Sequence, residues 1–208
     1  MRVLCLLLTV LAAPALARGE KAGEFDYYLL ALSWSPNWCA LEGDAREAEQ
    51  CARDLGWSLH GLWPQYEAGW PSYCPTSERA PSRSMNGAMA DIMGSGGLAW
   101  HQWRKHGTCT GLSAEAYFRQ SRAAYELVTR PEVLRKLDRT FQINAEVIED
   151  AFLQSNPNLA PEMITITCRQ GHIQEARICF TKDLVPRTCS RDVARDCQLT
   201  DAVLEPVR

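Results

Sequence analysis

The chain reads as a single α+β domain: a central antiparallel β-sheet packed with several helices. Three observations predict this. Strand-like alternation and helix-like spacing are interleaved along the sequence without a regular βαβ period. The 208 residues are 46% hydrophobic and 23% charged, which is globular and long enough for one sizeable core. Neither an internal repeat nor a domain linker interrupts the chain. Collagen-like, coiled-coil and low-complexity classes are excluded. The formal charge of −3 argues against a large basic face that holds nucleic acid by neutralising many phosphates.

The elements follow in chain order. Met1-Arg2 precedes an apolar run, Val3 to Ala17, that closes on Ala15-Leu16-Ala17. The run is too short to span a bilayer and ends in small residues, so residues 1–17 read as an export leader cleaved after Ala17. Its loss lowers the basic count from 22 to 21 against 25 acids, a net of −4, and takes Cys5, leaving eight cysteines. Residues 18–208 then form one domain. Phe25 to Trp34 is apolar on both alternating faces, as a strand covered on both sides requires. Trp57 to His60 is a second strand, with Ser58 and His60 on the side opposite Trp57 and Leu59. Pro71 to Gly97 is rich in Pro, Ser and Gly and reads as long loops around one helix near Met85 to Met93.

The later half is more regular. Ala114, Tyr117, Phe118, Ser121, Ala124, Tyr125 and Val128 recur at helical spacing behind a Ser113 cap. Pro131 can open a short helix carrying Val133, Leu134 and Leu137. Asn144 can cap another carrying Val147, Ile148, Ala151 and Phe152, which Asn156-Pro157 stops. Met163 to Cys168 and Glu175 to Thr181 alternate as strands joined across Gly171.

The eight remaining cysteines suit an oxidising compartment and four disulfides. No Cys-x-x-Cys occurs, unlike a zinc ribbon or finger, and spacing alone does not choose the pairing.

All seven tryptophans and three of the four histidines fall between Trp34 and His106. The densest piece runs from Trp100 to Cys109. On a helix, relative to His101, Lys105 lies at about 40°, Gln102 at about 100° and His106 at about 140°. Four polar groups thus share one half of the surface, and Trp100 and Trp103 can anchor the other half to the core. Two imidazoles with an ammonium between them suit an anion, a carboxylate cluster or water. The helix C-terminus would favour a charged His106. A metal fits poorly, because the histidines are five apart with a repelling lysine between them and no His-Glu-x-x-His is present. With His60 the set matches the needs of RNA cleavage at phosphorus: a base for the 2′-hydroxyl, an acid for the 5′-oxygen and a cation for the phosphorane. Nearby indoles offer stacking surfaces for unpaired bases.

Trp57-Ser58-Leu59-His60-Gly61-Leu62-Trp63-Pro64 and the segment His101 to Cys109 resemble the two active-site segments of the ribonuclease T2 family, secreted endoribonucleases that include plant S-ribonucleases. The resemblance implies an α+β fold around an antiparallel sheet, no metal or other cofactor, and cleavage through a 2′,3′-cyclic phosphate then hydrolysed to a 3′-phosphate. His106 matches the general base of the first step and His60 the general acid. Lys105 matches the residue that stabilises pentacovalent phosphorus, His101 a phosphate-binding histidine and Trp63 an aromatic of the base pocket. Trp70 and Tyr73 are additions to that pocket which no motif fixes. The likeness implies a Cys74–Cys109 disulfide, Cys168 with Cys197 and Cys179 with Cys189, leaving Cys39 with Cys51.

Two positions depart from the family pattern. Gln102 stands where glutamate is usual, so a phosphate contact is retained but a carboxylate charge is lost. Gln65 stands where an acidic residue is often found. A competing reading is a non-catalytic, disulfide-stapled RNA- or protein-binding relative, for which Gln102 is the support. The expected partner is an RNA substrate, with no membrane contact after leader removal and a monomeric state. The leader and the cysteines place the protein in a periplasm or outside the cell. The five asparagines begin no Asn-x-Ser/Thr acceptor, which favours a bacterial source.

Overall fold

The computed structural model describes residues 20–208, so the leader assigned to residues 1–17 lies outside the described residues. β1 (Tyr27–Trp34) is buried nearly throughout, as its two apolar faces require. α1 (Ser35–Trp38), with Pro36 in its first turn, continues into a π-helical turn over Cys39–Gly43. β2 (Trp57–Gln65) extends five residues beyond the strand read at Trp57 to His60. Instead of one helix near Met85 to Met93 there are two short ones, α2 (Arg83–Gly87) and α3 (Ala90–Met93). Gly87, a poor helix former, ends the first of them.

α4 (Gly96–Lys105) and α5 (Ala114–Leu127) start at Ser95 and Ser113, whose side chains accept from the backbone N–H of Leu98 and Ala116. A 3₁₀ segment, Glu132–Lys136, occupies the short helix read after Pro131. β3 (Phe141–Ile143) precedes α6 (Ala145–Ser155), which Asn144 caps by accepting from Glu146 N–H. β4 (Ile164–Arg169), β5 (His172–Phe180) and β6 (Ala202–Leu204) complete the sheet.

The strand order is β2-β1-β5-β6-β3, with β4 also pairing β5. Every pairing is antiparallel except one: β6 meets β5 through a single parallel pair, His172 and Val203. The sheet is therefore mixed, though mostly antiparallel. Asn37 reinforces that short contact. Its buried amide donates to the carbonyls of Ile173 and Val203 and accepts from Glu205 N–H.

The two sides of the sheet bury different material. Leu30, Leu32 and Trp34 of β1 and Ile178 of β5 belong to the main core, with Tyr117, Phe118, Ile148 and Phe152 from α5 and α6. Each such side chain contributes about 1.5–3 kcal/mol by leaving water. Tyr27 and Leu29 point to the other side and pack with Cys179, Cys189 and Val193. Disulfides join Cys39 to Cys51, Cys74 to Cys109, Cys168 to Cys197 and Cys179 to Cys189. No helix among the described residues is long and apolar enough to cross a membrane.

Candidate active site

The site begins at a break in the β1–β2 ladder. Ala31 faces Gly61 while Leu32 faces Leu59, so His60 is an extra residue on β2. Such a bulge re-aims a side chain and switches the alternation. The switch is visible in the core, where Leu59 and Leu62 are both fully buried although three apart. His60 and Trp63 are left half-buried at a cavity of about 260 Å³.

α4 supplies the opposite wall. His101, Gln102, Lys105 and His106 line the same cavity, so their shared half-surface does face one site. Trp103 is buried in the main core, but Trp100 is 38% exposed and does not anchor the helix as its spacing suggested. The apolar stripe on α4 is narrower than two indoles require. His106 is the C-cap of α4, held by its N–H donating to Gln102 O at 2.9 Å.

Trp63 stands between the two histidines. It stacks on His106 at 5.1 Å and 22°, and meets His60 edge-on at 5.1 Å and 82°. Its indole N–H donates to Gln102 Oε1 at 2.7 Å. A Cβ at position 61 would collide with both atoms of that bond, so glycine there lets α4 reach the indole past the strand.

The two imidazoles sit in contrasting environments. His106 is 4% exposed and its Nδ1 has no hydrogen-bond partner. Burial, and then the positive charges of Lys105, His60 and His101, push its pKa down to about 2. The favourable helix C-terminus is outweighed, so the expectation of a charged His106 is corrected: it rests as a neutral imidazole. His101 is also lowered, by burial first and then by Lys105, His60 and Arg104.

His60 instead meets a carboxylate that sequence reasoning missed. Its Nδ1 lies 2.5 Å from Oε1 of Glu175, which is 1% exposed. Arg177 closes on the other oxygen, Oε2, with Nε at 2.8 Å. Burial opposes ionisation of Glu175, but His60 and then Arg177 more than offset it and hold the carboxyl at about 2. The available signal was Glu175-Ala-Arg177 in an otherwise apolar strand: two charges on the face opposite Ala176 and Ile178.

The other expected residues divide. Trp70 lines the cavity while remaining 56% exposed. Tyr73 is exposed and outside the cavity lining, its backbone N–H donating to Lys105 O at 2.8 Å. Gln65 lines the cavity with its amide donating to Pro64 O, and Asp192 enters from the segment after β5. Among the described residues the one grouping at metal-ligand distances is Cys39, Asp44 and Cys51, whose sulfurs are already joined to each other.

Comparison with known proteins points to one family. The Ribonuclease T2 family matches residues 25–189. A ribonuclease of Aeromonas hydrophila is 48% identical over 118 residues, which are 54% of this chain and 53% of the relative. A probable ribonuclease of Haemophilus influenzae is 30% identical over 159 residues, 67% of this chain and 58% of the relative. The chain thus spans little more than half the length of these curated relatives. The fold is similar to that of an RNase-related protein from Calystegia sepium, with a TM-score of 0.63 and 21% identity over 88% of this chain and 99% of that one. With the family match covering most of the sequence, the site included, the chain belongs to the Ribonuclease T2 family.

Proposed function

We propose that this protein is an exported, metal-independent endoribonuclease acting on single-stranded RNA. The observation that carries the reading is the contrast between the histidines: a buried neutral base, His106, and a carboxylate-paired His60, around one cavity that also takes Lys105. His106 removes the 2′-hydroxyl proton, the 2′-oxygen attacks phosphorus, and the 5′-oxygen leaves with a proton from His60. The products are a 2′,3′-cyclic phosphate and a 5′-hydroxyl. In the second step His60 takes a proton from water, the hydroxide attacks phosphorus, and the 2′-oxygen leaves with the proton held by His106. Lys105 stabilises the phosphorane and His101 binds a phosphate oxygen. Trp63, Trp70 and Tyr73 offer surfaces for bases. DNA lacks the nucleophile and is spared.

Residues 18–208 form the ribonuclease domain, delivered by the leader to a periplasm or the exterior, where four disulfides persist. The test is incubation of the purified protein with RNA and with DNA in excess chelator. RNA converted to fragments with cyclic and 3′-phosphate ends, with DNA intact, is the expected result. RNA left whole overturns the reading in favour of a binding protein, and cleavage abolished by chelator overturns it in favour of a metal nuclease.

Gln102 bears on the pH profile. Its Oε1 already accepts from the Trp63 indole, a role a carboxylate could also fill. Gln102→Glu adds a buried negative charge beside His106, favouring the imidazolium, so the acid limb of kcat/KM moves up by about one pH unit or more. Activity at the optimum survives. Superimposable pH–rate profiles of parent and variant contradict this.

A further inference from the structure

The catalytic helix brings no carboxylate to the site, since positions 101 to 106 are His, Gln, Trp, Arg, Lys and His. The carboxylate comes from the middle of the sheet. We infer that Glu175, clamped by Arg177, is a positioning residue for His60 that fixes the ring tautomer and orientation needed for proton delivery to the leaving 5′-oxygen. This rests on the reaction assigned above, in which His60 is the general acid.

The sheet register builds the contact. Ser33 of β1 lies opposite Glu175 on one side and Ser58 of β2 on the other, so Glu175 is one strand away from β2. The bulge at His60 lets its ring cross that interval, and the residues of the adjoining row, Ala31 and Gly61, are the smallest available. Ser33 adds a hydroxyl 3.5 Å from the same Oε1. A carboxylate 1% exposed is costly to bury and persists where its oxygens are answered. Here the answers are divided, Oε2 to Arg177 and Oε1 to His60. Because the bond is made at Nδ1, the proton on that nitrogen is held and Nε2 is left as the atom that gives and takes the reacting proton.

Among the described residues no other acid bonds to the His60 ring. From α4, His60 faces His101, Lys105 and His106, all cationic or neutral. From β5 it faces Arg177 as well as Glu175, and the cavity also takes Asp192, whose carboxylate accepts from Gly69 N–H and from the Ser190 hydroxyl. Behind it a second cavity is bordered by Glu42 and Arg169, and Glu42 is already engaged by Arg169 and Arg46. Glu175 is thus the carboxylate in hydrogen-bond contact with a catalytic histidine.

The leaving group separates a positioning role from a structural one. A dinucleoside phosphate needs its 5′-oxygen protonated, whereas nitrophenol leaves as the anion. In Glu175→Gln, kcat for a dinucleoside phosphate is expected to fall by about 10- to 100-fold with KM changed less than about twofold. Turnover of a uridine 3′-(4-nitrophenyl phosphate) changes less than about threefold, because that leaving group does not draw on the acid. Glu175→Asp keeps the charge with a shorter reach and recovers part of the dinucleotide rate, which also supplies the comparison if the Gln variant does not fold. Equal losses on both substrates show a merely structural carboxylate and overturn the inference, as does a dinucleotide rate unchanged in both variants. If the parent forms no cyclic phosphate from RNA, the assigned reaction fails first and the inference falls with it.

Discussion

Replacing His106 by Ala lowers kcat/KM on RNA by about 10²–10⁴-fold while the protein stays folded. The magnitude is that of a positioned general base. Retention of fold follows from the bonding around the ring, because the Nδ1 of His106 has no partner to strand and the ring stacks on Trp63. Losing that stack costs about 0.5–1.5 kcal/mol. His60→Ala falls as far on RNA but keeps turnover of a nitrophenyl ester, while His106→Ala loses both substrates. The double variant is little worse than either single one, as expected for groups acting in one proton-transfer chain. Initial rates on the two substrates decide the matter, and a His106→Ala rate within about threefold of the parent on either would remove His106 from the base role.

The pH dependence of the parent follows from the same burial. A general base is lost as pH falls through its pKa, and burial holds that of His106 at about 2, far below the ordinary imidazole value. The acid limb of kcat/KM therefore lies well below neutrality. That limb is the one Gln102→Glu moves upward.

How far the sequence reveals this site depends on how local each feature is. α5 and α6 are legible because apolar spacing and the Ser113 and Asn144 caps are contained within one stretch of chain. The wall of α4 is legible for the same reason. β3 and β6 are not, since three residues carry no period and β6 is fixed by Asn37, more than 160 positions earlier. The bulge is equally hidden: alternation at Trp57 to His60 is read without the insertion that sends Leu59 and Leu62 into one core. Glu175 lies 115 residues from His60 and meets it only once β1 has paired with both strands. The motif thus marked the residues proposed to react, while the carboxylate that meets His60 depended on tertiary register.

Removing the Cys74–Cys109 disulfide by a double substitution to Ala is the largest stability loss expected. The bond closes a loop across a sequence separation of 35 residues. Loop-closure entropy for that length gives about 4 kcal/mol at 25 °C, or a fall in Tm of about 10 °C for a domain of this size. Cys109 is fully buried just beyond α4, and Cys74 follows the loop carrying Trp70 and Tyr73. Without the bond the backbone tie from Tyr73 N–H to Lys105 O is left to hold that loop against the catalytic helix, so KM rises more than kcat falls. Acid adds a second loss to this one. His106 is depressed in the folded state, so the unfolded chain gains a proton near pH 6.5 that the folded protein refuses until about 2. Glu175 acts in the same direction below pH 4.5, its folded value being about 2 against the unfolded 4.5. Both terms withdraw stability as pH falls, and the parent tolerates this with a margin the variant lacks. Thermal unfolding at pH 7 and pH 4 tests the account: a Tm loss under about 3 °C at both would show that the bond does not hold the site together.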